Sequence, residues 1–552
     1  MKRHSTGALT KAQKAAQDKT YSKKNKYDYL IMGTGMSALS IGSLLAHSGK
    51  KVCMLEAHDV PGGMAHTFKM GDYQFCAQVH YIWGCAPGGR IYEFLKHIGL
   101  AKKITFQRLG PVGYDRMAMP DGKFVMIPNG FDLLAERIDS AYPGQKEAVI
   151  RFTNLLRQMR LEMRELPSRQ VRWWEILTHA RKARTLLRYL NKTIQDVFDE
   201  CGLSKEAQAV LIANAGDMMA PPKDMSIFAY CALFSGYNTG AYYPTKHFKS
   251  LTQGLADFIT SHKGCHIYYE TAVSAIKTEG KKVIGVETTD GRKFTAKNYI
   301  CNMDPQATMK IIGEEKFPGR WAKPLKYRYA PSGILVYLGL KDIDLTKYGF
   351  GKFNTWDLAQ WDMNKMWDEQ GPGDLSKPWI FISTPSLHTK DRGTTPPGGA
   401  VIEIATYTEF DWLAELKKKD PSLYVQKKNE IADMLIGIVE KKYIPGIRDH
   451  IAVKVVGTPS THLDFCNAPF GNSYGSYLNP QQIGLKRLKA ATPFSNLWWC
   501  NASSGFAGVH GTISTGMDLY MDLTGDRFFD DKMMPTDDEF VARLTKGKKS
   551  LN

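Results

Sequence analysis

Two short groups of residues near the start of the chain have the types and spacing needed to hold a dinucleotide. Gly33, Gly35 and Ala38 form a G-x-G-x-x-A pattern. Gly33 permits a tight turn, Gly35 lets the backbone approach a pyrophosphate, and Ala38 lets a helix pack closely on a strand. Glu56 lies 21 residues beyond Gly35 and is placed to accept hydrogen bonds from ribose hydroxyls. The pattern predicts a nucleotide whose phosphates meet a helix N-terminus.

A second glycine pair follows this acid. Gly62 and Gly63 come directly after a proline, and Met64 follows them. Because glycine has no Cβ, such a pair brings the backbone close to a ligand. After the first glycine pattern and its acid, this pair favours a flavin enzyme over a nicotinamide dehydrogenase.

A strand–helix–strand unit must position these residues. The apolar run at 27–32 predicts a first strand, residues 36–47 a helix, and residues 51–55 a second strand that ends at Glu56. The unit spans about 30 residues, as a dinucleotide-binding unit requires. We expect three neighbouring residues to touch the same ligand: Met36, Ser37 and Ala57.

Six stretches of the sequence together resemble one flavoprotein family. They are LEAHDVPGGMAHTF (55–68), FCAQVHYIWG (75–84), GYDRMAMPDGKFVMIPNG (113–130), GAYYPTKHFKSLTQGLADFI (240–259), YYETAVSAIKTEGKKVIGVETTDGRKFTAKNYICNMDP (268–305) and NLWWCNASSGFAGVHGTISTG (496–516). The sequence is similar to the phytoene desaturase, carotenoid isomerase and retinol saturase family, within the wider amine-oxidase-like flavoproteins. The similarity is scattered over most of 27–525.

The resemblance implies an α/β fold, in which a Rossmann-type FAD-binding domain is interleaved with an α+β substrate domain. The FAD part would comprise 27–145, 241–305 and 481–535. The substrate part would comprise 146–240, helical and membrane-facing, and 306–480. Residues 1–26 are expected to form a flexible basic arm and residues 536–552 a tail.

The resemblance also implies a set of FAD-binding residues. Those carried over by position are Gly33, Gly35, Met36, Ser37, Ala38, Glu56, Ala57, Gly62, Gly63, Met64, Val273, Asn501, Ala502, Gly508, Val509 and His510. The sequence departs from the family pattern at three places. Met64 stands where many relatives have Arg, Asn501 replaces a glycine, and TKHFKS at 245–250 replaces a Gly-Gly. These departures bear on how tightly FAD is retained.

His80, Tyr81 and His510 are the candidate catalytic residues. A histidine can carry a proton near neutral pH, and flavin chemistry needs the protein to orient substrate and move protons. Both histidines also have a structural alternative: His80 could be a hydrogen-bonded core residue, and His510 could position the backbone of a turn. Four aromatic residues could line a pocket for a planar polyene or simply fill the core: Tyr81, Trp83, Tyr242 and Tyr243.

Positive charge is concentrated in two segments. The chain carries a formal net charge of +18, and residues 1–26 and 151–190 contribute about +7 each. In the second segment apolar residues recur at helical spacing before Pro167, and the pattern resumes with Trp173, Ile176, Leu177, Ala180, Leu187 and Leu190. A basic amphipathic helix with tryptophan suits an anionic membrane surface, although a helix packed on the protein's own core fits as well. No nucleic-acid recognition motif accompanies the charge.

Composition narrows the remaining possibilities. The sequence has no apolar run of 18 residues, so no transmembrane helix is predicted. Nine cysteines without a C-x-x-C pair indicate reduced thiols, no zinc ribbon and no metal site. We therefore expect a cytoplasmic protein that docks peripherally on membranes. The sequence contains no second glycine motif that follows a strand, so it predicts no dedicated NAD(P) domain. The electron partner could be dioxygen, a quinone or NAD(P)H.

These features favour one function and leave two alternatives. The first is an FAD-dependent oxidoreductase that desaturates, saturates or isomerises carbon–carbon double bonds of a long apolar polyene, retinoid, carotenoid or lipid. The second is a flavin amine or amino-acid oxidase, which would need a lysine near the flavin that the sequence does not identify. The third is a non-catalytic binding protein, suggested by the departures at Met64 and Asn501.

Overall fold

A computed structural model describes residues 9–22, 25–166 and 180–546, the side chain of Lys546 apart. In these ranges the strands are β1 Tyr27–Met32, β2 Val52–Leu55, β3 Thr67–Met70, β4 Tyr73–Cys76, β5 Phe106–Arg108, β6 Asp115–Ala118, β7 Phe124–Ile127, β8 Tyr242–Pro244, β9 His266–Tyr268, β10 Val273–Glu279, β11 Lys282–Thr288, β12 Lys293–Phe294, β13 Ala296–Cys301, β14 Ser332–Leu340, β15 Asn354–Leu358, β16 Trp379–Ser383, β17 Ala400–Thr408, β18 Ile451–Gly457 and β19 Leu497–Trp499.

The α-helices of the same ranges are α1 Lys11–Thr20, α2 Met36–His47, α3 Arg90–His97, α4 Phe131–Ala141, α5 Lys146–Glu165, α6 Arg184–Arg188, α7 Ile194–Cys201, α8 Lys205–Ile212, α9 Ile227–Asn238, α10 Lys249–Thr260, α11 Pro305–Ile312, α12 Gly319–Ala322, α13 Met363–Gln370, α14 Pro385–His388, α15 Phe410–Lys419, α16 Pro421–Lys442, α17 Ile447–His450, α18 Pro459–Cys466, α19 Gly508–Thr524 and α20 Asp537–Lys546. None of these helices is long and apolar enough to cross a membrane.

A five-stranded parallel sheet forms the centre of the nucleotide-binding part. Its order is β19–β13–β1–β2–β9, so strands far apart in sequence lie side by side. The strands are buried, β1 and β2 almost completely, which explains their continuous apolar runs. Helices α2, α10 and α19 pack together beside this sheet. The predicted strand–helix–strand unit and the α/β fold class are confirmed.

A seven-stranded sheet forms the second part, in the order β18–β14–β17–β16–β15–β6–β7. Strands β14 and β17 pair antiparallel over nine residues, and α16 contributes to the apolar core on one face. The family resemblance places residues 115–127 in the FAD part, but the hairpin they form completes this second sheet. The reason is a long-range pairing, because Asn354–Asp357 lie parallel to Asp115–Ala118.

The basic N-terminal segment contains a helix where the sequence predicts a flexible arm. Thr10 caps α1, and the Gln17 side chain exchanges two hydrogen bonds with the Tyr269 backbone. Lys14 pairs with Glu270 at 2.6 Å. These contacts place α1 beside the loop between β9 and β10.

Helices α5, α6, α7 and α9 pack together, and residues of α5, α6 and α9 line the cavity described below. The predicted helical spacing before residue 167 is confirmed by α5. Trp173, Ile176 and Leu177 lie outside the described residues, as do residues 1–8 of the arm and 547–552 of the tail. All nine cysteines have free thiols. Within the described ranges no cluster of three His, Cys, Asp or Glu side chains could hold a metal ion.

Candidate active site

The predicted cofactor residues meet at the carboxyl edge of the five-stranded sheet. Gly33 follows β1 directly, Glu56 follows β2, Asn302 follows β13, and Asn501 comes two residues after β19. Carboxyl ends of parallel strands lie at one edge, where open α/β sheets bind their ligands. Four segments that are distant in sequence therefore form one wall.

This wall is one side of a cavity of about 1090 Å³. Small-ligand pockets usually measure about 300–1,000 Å³, so the cavity has room for a dinucleotide and part of a second molecule. Ala38 is fully buried and does not line it, which leaves Ala38 only its packing role. The other predicted cofactor residues all line the cavity: Gly33, Gly35, Met36, Ser37, Glu56, Ala57, Gly62, Gly63, Met64, Val273, Asn501, Ala502, Gly508, Val509 and His510.

The Glu56 carboxylate is held by backbone donors on both sides. Its Oε2 accepts from the Thr34 N–H at 2.8 Å and from the Thr34 hydroxyl, and its Oε1 accepts from the His58 N–H at 2.8 Å. Oε2 uses both of its lone pairs in these bonds, whereas Oε1 keeps one further lone pair. Glu56 is thus fixed in place and still able to accept a ribose hydroxyl at Oε1.

The two glycine segments touch through their backbones. Gly35 and Gly62 form an isolated parallel bridge, and the Gly62 N–H donates to Thr34 O at 3.0 Å. Gly62 and Gly63 have φ of 118° and 56°. A Cβ at Gly63 would lie 3.2 Å from the Gly35 Cα. The close backbone approach predicted from the glycine spacing is therefore present.

Asn302 is a site residue that sequence reasoning missed. Its Oδ1 accepts from the Gly35 N–H at 2.8 Å, and its Nδ2 donates to Cys500 O at 2.6 Å and to the Ser37 hydroxyl at 2.8 Å. It thereby joins the start of α2 to the ends of β13 and β19. The available signal was its position directly after a buried parallel strand.

Comparison with known proteins agrees with this geometry. The sequence profile of the family described as "Flavin containing amine oxidoreductase" matches residues 36–518. The chain belongs to this family. It is 23% identical to the all-trans-retinol 13,14-reductase of Danio rerio, over 89% of this chain and 85% of the relative. It is 25% identical to prolycopene isomerase 1, chloroplastic, of an Oncidium hybrid cultivar, over 88% of this chain and 81% of the relative.

Two solved structures show the same fold at low sequence identity. Putrescine oxidase bound to putrescine aligns with a TM-score of 0.62 at 13% identity, covering 91% of this chain and 99% of that one. Cyclohexylamine oxidase from Brevibacterium oxydans IH-35A aligns with a TM-score of 0.57 at 14% identity, covering 95% and 99%. The chain's family membership and its sequence relatives make the protein an FAD-dependent oxidoreductase.

The donor set of the cavity fits FAD. The N-termini of α2 and α19 both open into it, and the first amides of a helix have no partner within the helix. Two positive helix ends suit a pyrophosphate and an electron-rich ring edge. Gly33, Gly35, Gly62 and Gly63 would hold the ADP half, with Glu56 on the ribose. Gly508, Val509 and His510 would border the flavin ring.

Arg487 supplies a positive charge to the same wall. Its guanidinium is buried and donates to the carbonyls of Ala502 and Gly505. No ion pair joins it to an acid in the described part of the chain. Burial lowers the pKa of Arg487 to about 10, so it stays charged at neutral pH. The wall therefore keeps a cation although Met64 replaces the arginine of many relatives.

The second departure, Asn501, is built into the C-terminal loop. Its Oδ1 accepts from the N–H groups of Ser503 and Ser504 at 3.1 and 3.0 Å, and its Nδ2 donates to Met303 O at 3.2 Å. The side chain thus orders the turn before α19. Neither departure removes the amides or the acid expected to hold FAD.

All three candidate catalytic residues line the cavity. His80 Nδ1 lies 2.8 Å from Glu403 Oε2, which orients the ring. His510 stacks on Trp83 with ring centroids 4.7 Å apart. Burial, with Arg90 and Arg160 nearby, lowers the pKa of His510 to about 3. A neutral His510 is suited to a wall position and not to donating protons at neutral pH.

The predicted aromatic lining is present in altered form. Tyr81 stacks on Tyr237 with centroids 4.2 Å apart and planes 10° apart, and Trp83 meets Tyr237 edge-on at 4.9 Å. Tyr242 also lines the cavity, whereas Tyr243 is fully buried against His247 and does not. Adjacent residues of β8 point to opposite faces, so only one of the two tyrosines can face the cavity.

Two acids beside Tyr81 were not predicted. The Tyr81 hydroxyl lies 2.6 Å from Asp217 Oδ2 and 3.0 Å from Asp115 Oδ2. Asp217 lines the cavity, while Asp115 is completely buried behind it. A single acid inside the apolar segment LIANAGDMMA was the available signal for Asp217.

Proposed function

We propose that this FAD-dependent oxidoreductase acts on carbon–carbon double bonds of a long apolar polyene, by desaturation, saturation or isomerisation. The observation that carries the proposal is a row of aromatic rings in one cavity with the cofactor residues. Tyr81, Tyr237, Trp83 and His510 follow one another along the wall at ring distances of 4.2 to 4.9 Å. Flat rings stack well on a planar conjugated chain.

Apolar side chains line much of the remaining wall. They come from α5, α6 and the residues just after it, α9, and the segments at 478–485 and 534–540, and include Met163, Leu186, Leu190, Phe228, Leu233, Leu478, Ile483 and Phe540. Burying a long hydrocarbon against such a surface releases about 25 cal/mol per Å² of apolar area. The relatives named as retinol reductase and prolycopene isomerases support the same substrate class.

When bound, FAD supplies the two-electron redox chemistry. The protein's own residues then have three tasks. The apolar wall excludes water, the row of aromatic rings aligns the conjugated chain, and His80 with Glu403 forms a polar pair at the wall. The electron partner is dioxygen, a quinone or NAD(P)H, and it would reach the flavin through the same cavity.

The experiment incubates the FAD-loaded protein with all-trans-retinol or prolycopene in vesicles, once with oxidised and once with dithionite-reduced flavin. Products are separated by chromatography, and the flavin absorption is followed without oxygen. We expect a product whose conjugated system is lengthened by desaturation, shortened by saturation or changed in geometry by isomerisation. Reduction of the flavin by putrescine or cyclohexylamine, with both polyenes unchanged, would instead support amine oxidation.

We also propose that the rim of the cavity docks on an anionic membrane. Leu187, Leu485 and Phe506 line the cavity and are 40%, 39% and 53% exposed. Lys486 donates to Asn191 Oδ1 at 2.9 Å, which brings the segment of Leu485 next to the segment of Leu187. Exposed apolar residues at a cavity mouth suit insertion into a bilayer.

The basic charge near this rim is partly neutralised. Arg188 pairs with Glu200, and Lys182 pairs with Glu165. Arg181 and Arg184 are exposed on the same segment. We therefore expect these two arginines to provide most of the salt-dependent attraction of the segment.

Vesicle flotation tests the docking. The protein should float with phosphatidylserine vesicles at low salt and less with phosphatidylcholine vesicles. The double variant Arg181→Glu/Arg184→Glu should lose binding, whereas Lys418→Glu/Lys419→Glu, two exposed lysines on α15, serves as the charge-matched control. Equal flotation of both variants, or no flotation of the native protein, would contradict the proposal.

A further inference from the structure

Tyr81 lies between two carboxyl groups, one in the core and one on the cavity wall. Asp115 stands at the start of β6 and is completely buried. Asp217 ends the short helical segment after α8 and is partly exposed to the cavity. Both carboxyls approach the same phenol oxygen, at 3.0 and 2.6 Å. A buried Asp115–Tyr81–Asp217 triad therefore reaches from the core to the substrate space.

The hydrogen count of this triad requires a protonated carboxyl. A phenol hydroxyl carries one hydrogen and can donate to only one of the two acids. If both acids were ionised, one carboxylate oxygen would face the phenol oxygen at hydrogen-bond distance without a hydrogen between them. Two buried carboxylates sharing a site retain a proton for the same reason.

No lysine or arginine removes this requirement. In the described ranges neither Asp115 nor Asp217 forms an ion pair with Lys or Arg. Burial raises the pKa of Asp217 to about 7, and burial together with the Asp217 charge raises the pKa of Asp115 well above its usual range. The titratable groups packed around the triad are His80, Glu403, Tyr114, Tyr237 and Tyr474.

Asp217 lies on the side of the aromatic rings that faces the cavity. Tyr81 donates toward Asp217 with its hydroxyl while its ring stacks on Tyr237. A conjugated chain lying along the rings would thus pass beside the Asp217 carboxyl. The stacking also keeps the phenol oxygen between the two acids, because the Tyr237 hydroxyl in turn meets the Tyr81 carbonyl at 3.4 Å.

We propose that Asp217 exchanges a proton with a carbon of the substrate, and that Tyr81 and Asp115 are positioning residues that keep this proton on the triad. This role rests on the proposed double-bond chemistry. In saturation, a hydride from reduced flavin would reach one carbon and the Asp217 proton its neighbour. The double bond gains two electrons and two hydrogens, and the flavin loses the two electrons. Asp217 is left as a carboxylate that accepts from Tyr81 until a proton from solvent in the cavity restores the acid.

The first test needs no substrate. Infrared spectra of the FAD-loaded protein should show the C=O band of a protonated carboxylic acid that shifts in D₂O. Asp115→Asn and Asp217→Asn should each change this band, whereas Asp132→Asn, an exposed acid on α4, should not. A spectrum that neither triad variant alters would overturn the shared proton.

The second test uses turnover of all-trans-retinol or prolycopene. General acid–base groups contribute about 10²–10⁴-fold, so we expect Asp217→Asn to lower product formation about 100-fold or more. FAD affinity and flavin reduction by dithionite should stay within about twofold of the native protein. Tyr81→Phe should shift the pH profile of turnover, which a purely structural role would not do.

The outcomes separate this inference from the proposed function. If the native protein transforms neither polyene, the proposed function fails while the infrared result still decides the triad. If the native protein is active and Asp217→Asn stays within about threefold of it, the proton role fails while the function stands. Deuterium in the product from D₂O is expected with the native protein and not with Asp217→Asn.

Discussion

Asn302 Oδ1 accepts a hydrogen bond from the backbone N–H of Gly35 at 2.8 Å, across 267 positions of sequence. Through the same side chain the loop after β13 holds the first turn of α2 and the end of β19. A methyl group on Gly35 would lie 2.6 Å from this oxygen. Position 35 must therefore be glycine to leave room for the Asn302 side chain as well as for a ligand.

Removing this side chain should loosen the phosphate end of the cavity. Asn302→Ala deletes three hydrogen bonds, each worth about 0.5–1.5 kcal/mol net. We expect the unfolding free energy to fall by about 2 kcal/mol and the FAD Kd to rise about tenfold. Urea unfolding and fluorescence titration with FAD measure the two effects. The prediction fails if FAD affinity is unchanged.

The close approach of the Gly63 backbone to the Gly35 backbone, here called the glycine cradle, can be tested with two glycine-to-alanine variants that carry similar backbone strain. Gly63 and Gly99 both have positive φ, 56° and 75°, but only Gly63 faces another backbone. Left-handed geometry costs an alanine about 1–2 kcal/mol at either site. Gly63→Ala should additionally abolish tight FAD binding, because its Cβ would press on the Gly35 Cα at 3.2 Å. Gly99→Ala should lower only the thermal midpoint. Equal FAD affinity in both variants would argue against the cradle.

Glu56 should matter for cofactor affinity through its charge and its acceptors. Glu56→Gln replaces one acceptor oxygen by a donor that faces the Thr34 or His58 N–H. We expect a rise of about tenfold in the FAD Kd, the equivalent of about 1.4 kcal/mol. Glu270→Gln is the control, since Glu270 binds Leu9 and Lys14 outside the cavity. Isothermal titration of both variants decides, and equal losses would exclude a ribose role.

His462 should make stability depend on pH. Burial lowers its pKa from 6.5 to about 4, so the unfolded chain binds the proton more strongly. The contribution of the neutral His462 ring to the free energy of unfolding is present above pH 6.5 and is lost as the pH falls toward 4. The difference in unfolding free energy between the native protein and His462→Asn should shrink by about 2 kcal/mol from pH 7 to pH 5.

The control for that series is Asn472→Ala, a buried residue that does not titrate. Its difference from the native protein should not vary with pH. Urea unfolding of the three proteins at both pH values provides the measurement. A pH-independent difference for His462→Asn would show that the ring is not held neutral by burial.

Local pattern was enough to predict the nucleotide-binding unit. Gly33, Gly35 and Glu56 act within one strand–helix–strand unit, where spacing along the chain sets position in space. The resemblance of the sequence to a flavoprotein family added the distant loop at 501–510, which does line the cavity. Where the chemistry depends on contiguous residues, sequence and structure agree.

Only the tertiary structure decided the rest. Strand β6 joins the second sheet because Asn354–Asp357 pair with it, and Tyr243 turns into the core because Tyr242 faces the cavity. Asp115 and Asp217 approach Tyr81 across 34 and 136 positions. Such contacts arise when the packing of distant elements outweighs local preference, and no spacing in the sequence encodes them. The glycine and acid positions of the dinucleotide site thus belong to one local segment, whereas the triad exists only once the loop after β4, strand β6 and the segment after α8 are brought together.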